Sequence, residues 1–230
     1  MAARTKLVLV PGLLCTAALW APQIAALSDI AEPTVADHTR QQTMKGLARS
    51  ILAAAPRRFA LAGLSMGGYI AYEIVRQAPE RVERLALLDT SSRADTPERT
   101  AARRDLIANG EREGVAYAQN VLLPSLIHTA RLTDRALVRT VIQMAIDTGL
   151  SAFKRQQAAL IGRADARALL ASIRCPTLVL VGEEDALTPP KLAREIAASI
   201  PGAKLKIVPK CGHLSTLERP LAVNRALRAW

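Results

Sequence analysis

Phe59-Ala-Leu-Ala-Gly-Leu-Ser65-Met-Gly-Gly68, continuing into Tyr69 to Gln77, decides how this chain is read. Phe59 to Ala62 is a short apolar run with the character of a buried strand, and Met66 to Gln77 reads as a helix that stops before Pro79. Between them, Gly63-Leu64-Ser65-Met66-Gly67 is a G-x-S-x-G turn that presents a serine hydroxyl at a strand-to-helix corner, a nucleophile elbow. Such a corner strains the serine backbone and crowds the residues two before and two after it. Only glycine then fits at positions 63 and 67. The helix that starts at Met66 also points free N–H groups and its positive dipole end at any oxyanion formed on Ser65. A glycine-rich turn with a structural serine is the plain alternative, but the flanking strand and helix favour a nucleophile.

Working outward, the same alternation recurs. Lys6 to Val10 is an apolar strand ending at the turn Pro11-Gly12-Leu13-Leu14, and Trp20 to Leu27 reads as a short helix. Thr34 to Ala36 is a brief strand, Thr43 to Ala54 an amphipathic helix, and Arg84 to Leu88 a buried strand ending at Asp89-Thr90. Past Cys175-Pro176 come the strand Thr177 to Val181, the loop Gly182-Glu183-Glu184-Asp185, the helix Pro189 to Ile200 and the strand Lys204 to Val208. Ser215-Thr-Leu-Glu218 has the pattern of a capping box opening the last helix. Strands alternating with helices predict an α/β fold, a mostly parallel doubly wound sheet flanked by helices.

Residues 91–172 break this rhythm. They hold no β-rich run, only helical stretches interrupted at Gly110, Gly114, Pro124, Gly149 and Gly162. Leu137, Val141, Met144 and Ala145 share one helix face. The expectation is an all-helical cap, 91–172, inserted into a core made of 1–90 and 173–230. Further core helices are the alternative.

Bulk properties narrow the function classes. With 230 residues, the chain suits one domain with an insertion. Its net charge of +11 invites a nucleic-acid reading, but the arginines are interspersed with acids (Glu98, Arg99, Arg103, Arg104, Asp105) and form no basic block. A solvated basic surface is expected instead, with a preference for anionic substrates as a lesser reading. Cys15, Cys175 and Cys211 lack the spacing of a zinc site or a disulfide framework, which suits a reducing, cytoplasmic location. Arg4, Lys6 and the apolar run up to Cys15 imitate a lipoprotein signal. Pro11-Gly12 interrupts that run, and leucines precede Cys15 where small residues are needed, so a core strand is the better reading. No stretch reads as a membrane span, and neither metal-ligand spacing nor a dinucleotide-binding glycine motif occurs, so no metal and no cofactor is expected.

A serine hydroxyl needs a base, and the base needs an acid to hold its tautomer. Of His38, His128 and His213, only His213 directly follows a strand in a glycine-flanked loop; Asp185 also follows a strand. The order Ser65, Asp185, His213 is that of α/β hydrolases. Val8-Leu-Val-Pro-Gly12, Gly63 to Gly68, Pro79-Glu-Arg-Val82, Gly182 to Asp185 with Pro189, and Gly212-His213 with Glu218-Arg-Pro220 together make the chain resemble the α/β-hydrolase superfamily over almost its whole length. Its small capped members are the best match: enol-lactone hydrolases, carboxylesterases, C–C bond hydrolases and a related C–O lyase.

The resemblance implies Ser65 as nucleophile, His213 as base and Asp185 as its orienting acid, with the backbone N–H groups of Leu13 and Met66 as oxyanion hole. Pro11-Gly12 departs from the His-Gly of many relatives, so the turn must be held by other hydrogen bonds. Asp89 is a rival acid, because some relatives place it there. Glu183 and Glu184 flank Asp185, His38 is expected at the surface or in a supporting position, His128 in the cap facing solvent, and Glu218 as a helix cap. Leu13, Leu14 and Met66 suggest an apolar acyl site, with Met144 and Phe153 lining it from the cap. The function expected is hydrolysis of a small carboxylic ester or lactone through an acyl-enzyme, with no nucleic-acid or membrane partner. The alternatives are C–C hydrolysis or C–O lysis by the same residues, or a binding receptor that has lost catalysis.

Overall fold

The structure is a computed structural model that describes residues 4–230; the first three residues of the expected core lie outside the described residues. Six strands form one sheet: β1 (Thr5–Val10), β2 (Ala31–Val35), β3 (Phe59–Leu64), β4 (Val82–Leu88), β5 (Thr177–Gly182) and β6 (Lys204–Val208). Their order is β2-β1-β3-β4-β5-β6, and every pairing is parallel. The central strands are apolar throughout because both faces are covered. β3 and β5 are buried at every position. Along β1, Val8 and Val10 enter one core while Leu7 and Leu9 enter the other, and burying a side chain of this kind contributes about 1.5–3 kcal/mol. The sheet edges are polar. β2 carries Pro33, whose missing N–H is tolerated at an edge, and β6 exposes Lys204, Leu205 and Lys206. The expected strand at 34–36 is therefore longer and earlier, because pairing with β1 recruits residues that lack β-propensity.

One face is covered by α2 (Met44–Ala54), α3 (Met66–Gln77) and α8 (Pro190–Ser199), through residues such as Leu47, Ile70 and Ile196. The other face is covered by α1 (Ala21–Leu27) and α10 (Pro220–Ala229), through Leu27, Val223 and Leu227. Between β4 and β5 there is no strand. The chain instead forms α4 (Pro97–Glu113), α5 (Val115–Leu126), α6 (Arg135–Ile161) and the short α7 (Arg167–Leu170).

Gly114, at φ 90°, separates α4 from α5, and Gly149, at φ 75°, interrupts α6. Gly110 and Pro124, expected to break helices, lie inside them. At Gly110 the reason is packing against the Phe153 ring; Pro124 sits in the last turn of α5, where it forfeits one hydrogen bond. Leu106, Ala118, Ala145 and Phe153 form a small core of their own around Leu14, while Leu160, Ala166 and Leu170 join the core of the sheet. The helical segment thus packs on the sheet both through its end and through Leu137, Val141 and Met144 in its middle, and it stands over the site.

The capping box at Ser215–Glu218 does not form. Ser215 to Glu218 make a separate one-turn helix, α9, whose N-cap has no side-chain hydrogen bond. The Ser215 hydroxyl donates to Asp89 instead, and the Glu218 carboxylate accepts from the amides of Gly212 and His128. Stronger partners outside the helix claim both side chains.

Candidate active site

Ser65 stands between β3 and α3 with φ 54° and ψ −113°, a strained conformation that its surroundings impose. Its amide donates to the Leu88 carbonyl (2.9 Å), and its carbonyl accepts from the Thr90 hydroxyl (2.9 Å). The glycines on either side are needed for close approach: a Cβ at Gly63 would lie 2.3 Å from the Gly67 carbonyl oxygen, and one at Gly67 would lie 2.1 Å from that of Val10. α3 is thereby pressed onto β1, with Ser65 at the corner.

His213 Nε2 lies 2.8 Å from Ser65 Oγ, and His213 Nδ1 lies 2.8 Å from Asp185 Oδ2. An ionised Asp185 only accepts, so Nδ1 carries the proton and Nε2 is free to accept from the serine. Asp185 also accepts from the amides of Leu187 and Thr188 (2.9 Å each) and from the Thr188 hydroxyl (2.7 Å). Burial works against ionisation of Asp185, but His213 and these donors outweigh it and hold its pKa below the ordinary carboxylate value. Burial also pulls His213 down, and the Asp185 carboxylate more than reverses this, raising the imidazole above 6.5.

Asp89 is brought close but given other work. It accepts from the Gly182 amide (2.9 Å) and the Ser215 hydroxyl, and neither partner is His213. Full burial, then repulsion from Asp185, push its pKa up to about 8, so it is a neutral acid at pH 7.

The turn after β1 lies against the serine: a Cβ on Gly12 would be 3.4 Å from Ser65 Cβ. The turn is held by residues whose sequence neighbourhoods give no hint of it. His38, 2% exposed, donates through Nε2 to the Gly12 carbonyl (2.9 Å), and the Leu14 amide donates to Gln156 Oε1 (3.1 Å). These two hydrogen bonds support the Pro11-Gly12 turn, and burial lowers the His38 pKa so that it stays neutral. Among the described residues, the amides of Leu13 and Met66 donate to no protein acceptor.

A cavity of about 230 Å³ opens over Ser65 and His213. Gly12, Leu13 and Leu187 form its floor beside them; α4, α5 and α6 supply Arg103, Leu122 and Gln157 opposite. Leu14, Met144 and Phe153 are not among its lining residues. All three are at most 1% exposed, Leu14 and Phe153 in the small helical core and Met144 in the sheet core behind it. Periodicity signals burial and does not distinguish a cavity wall from the packing behind it. Arg103 corrects the expectation of a solvated arginine: its side chain is 19% exposed, pairs with Asp95 and lines the cavity. Cys15 also lines it, as a thiol that burial pushes up to about 12 and so not a rival nucleophile. His128 is half-buried at the loop it caps and lies outside the cavity. No metal-binding cluster occurs, and no helix is long and apolar enough to cross a membrane, among the described residues.

The sequence profile of the alpha/beta hydrolase family matches residues 7–226. The chain belongs to this family. It is 31% identical over 177 residues to the bromoperoxidase-like protein BpoC of Mycobacterium tuberculosis, covering 75% of this hydrolase and 67% of that protein. A thermophilic esterase from Thermogutta terrifontis superposes with a TM-score of 0.90 at 29% identity, over 98% of this hydrolase and 89% of the esterase. The enol-lactonase of Burkholderia xenovorans shares the fold, with a TM-score of 0.88 at 24% identity over 99% and 91% of the two chains. The α/β-hydrolase fold expected from the sequence is thus the fold observed.

Proposed function

We propose that this hydrolase is a serine esterase or lactonase that cleaves a small carboxylic ester or lactone through an acyl-enzyme. The observation that carries the reading is the unbroken hydrogen-bond chain from Ser65 through His213 to Asp185 at the floor of a cavity. Ser65 Oγ forms a bond to the acyl carbon as its proton passes to His213 Nε2. The carbonyl electron pair, displaced onto oxygen, is received by the N–H groups of Leu13 and Met66. His213 then protonates the leaving oxygen as the ester C–O bond breaks. Water, deprotonated by His213, attacks the acyl-enzyme, and the proton returns to Ser65 as the acid departs. One oxyanion donor is worth roughly 10²–10³ in rate. Helices α4 to α6 act as the cap that keeps bulk water from the acyl-enzyme. Esterase and enol-lactonase neighbours support this choice over the C–C hydrolase, lyase and receptor alternatives.

The test is hydrolysis of 4-nitrophenyl butyrate by wild type and Ser65→Ala. Turnover by the wild type and a loss of about 10⁶ in the variant are expected. A folded wild type without turnover on any ester or lactone offered sets the reading aside.

A further inference from the structure

The cavity carries a charge that the cleavage of an ester does not call for. One stripe of α4, Arg99, Ala102, Arg103 and Leu106, faces the cavity, so two of its four positions are guanidinium groups where a cap helix would ordinarily place apolar side chains. No carboxylate lines the cavity to balance them.

Behind this stripe the imbalance is sharper. Asp95, whose side chain is 1% exposed, is shared by two arginines: Arg103 Nε at 3.1 Å and Arg163 Nη1 at 2.6 Å. Arg163 is 2% exposed, and its guanidinium also lies 4.5 Å from the centre of the Tyr69 ring. Arginine does not give up its proton in proteins, so this buried trio carries one positive charge in excess. A buried charge is normally paired, and the member of the trio with a face on the cavity is Arg103. Arg103 spends Nε on Asp95 and Nη1 on Gln157 Oε1 (2.9 Å) and makes no hydrogen bond through Nη2. Arg99 spends Nη2 on the Leu187 carbonyl (3.0 Å) and nothing else. On the same wall the buried Gln157 amide has an unmet donor, Nε2; Gln119 Oε1 is also unmet, but it is an acceptor and calls for a donor rather than an anion. An excess cation, free guanidinium N–H groups and one unmet amide N–H converge on one wall.

Resting on the hydrolase reading above, we propose that Arg103, assisted by Arg99, forms a carboxylate subsite, so that the ester or lactone cleaved carries a second, non-reacting carboxylate. Guanidinium groups suit a carboxylate by geometry as well as charge. The anion then completes the ion balance of the Arg103–Asp95–Arg163 trio only when substrate is bound.

The test compares kcat/KM for the mono-4-nitrophenyl esters of succinate, glutarate and adipate with that for 4-nitrophenyl butyrate, in wild type, Arg103→Gln and Arg103→Lys. At least one acid-bearing ester is expected to be preferred about tenfold or more, with the preference lost in Arg103→Gln and partly regained in Arg103→Lys. No preference for any of the three esters in the wild type, or one that survives Arg103→Gln, overturns the proposal. Should Arg103→Gln fail to fold, Arg99→Gln carries the same comparison. A calorimetric titration of Ser65→Ala with glutarate and adipate needs no turnover. Binding there, without hydrolysis of any ester by the wild type, supports the subsite and defeats the hydrolase reading. Ser65-dependent hydrolysis with neither acid preference nor dicarboxylate binding does the reverse.

Discussion

Asp89 and Asp185 follow adjacent strands, and their surroundings drive them apart: one is held as an anion on His213, the other is kept as a buried neutral acid. Asp185→Asn should therefore lower kcat by about 10³–10⁴, because the imidazole loses the partner that fixes its tautomer. In Asp89→Asn the amide oxygen still accepts from Gly182 and the NH2 group donates to the Ser215 hydroxyl, so the change should cost far less; steady-state kinetics on the two variants decide which carboxyl group serves the base. The pH dependence has a definite sign. His213 must be neutral to accept a proton, so activity falls with falling pH through a midpoint above 6.5, and a flat rate from about pH 5 to 8 contradicts its role as base. Asp89 gives a stability signature of its own. Its folded pKa of about 8 lies above the ordinary 3.8, so folding takes up a proton between those values and native stability declines as pH rises through that window. Asp89→Asn removes the decline, and its melting temperature relative to wild type should rise from pH ~4 to pH ~8.

At the scale of elements, the elbow depends on contact between α3 and β1. Gly67→Ala puts a methyl carbon 2.1 Å from the Val10 carbonyl oxygen. Relief requires α3 to move, at a cost of about 1–3 kcal/mol of stability, and a displaced Ser65 loses about 10²-fold or more in rate. Thermal melts and kinetics on the same variant measure both. The elements explain what was legible in the sequence. Ser65, Asp185 and His213 each sit in the turn or loop that follows a strand, so local pattern and chain order were enough to single out three side chains that the fold brings together. His38, Gln156 and Arg103 act on residues 26, 142 and 54 positions away, and nothing in their neighbourhoods announces the partner. Ser215 and Glu218 show the converse, a sound local motif whose side chains are claimed by Asp89 and by the His213 loop. Leu14, Met144 and Phe153, expected to line the acyl site, lie buried behind it, because no sequence pattern separates the cavity wall from the layer behind it.

Over the whole molecule, the +11 charge and the guanidinium groups above the serine act in the same direction. If acid-bearing esters are the preferred substrates, their kcat/KM should fall as salt is raised, while that of a neutral ester changes little. The buried trio also joins the two ends of the helical segment, Asp95 near its start and Arg163 near its end, and the Arg163 guanidinium lies over the Tyr69 ring of α3. Asp95→Asn leaves Arg163 without its counter-charge, and a loss of about 3–5 kcal/mol in a denaturant melt is expected. The proposed function rests on one chemical event at one atom, acylation of Ser65. The most direct measurement is mass spectrometry of peptides from the enzyme quenched during turnover of 4-nitrophenyl butyrate. A butyryl group on the peptide containing Ser65, absent in Ser65→Ala, is the predicted result. Turnover that proceeds with Ser65 unmodified, or that persists in Ser65→Ala, would contradict it.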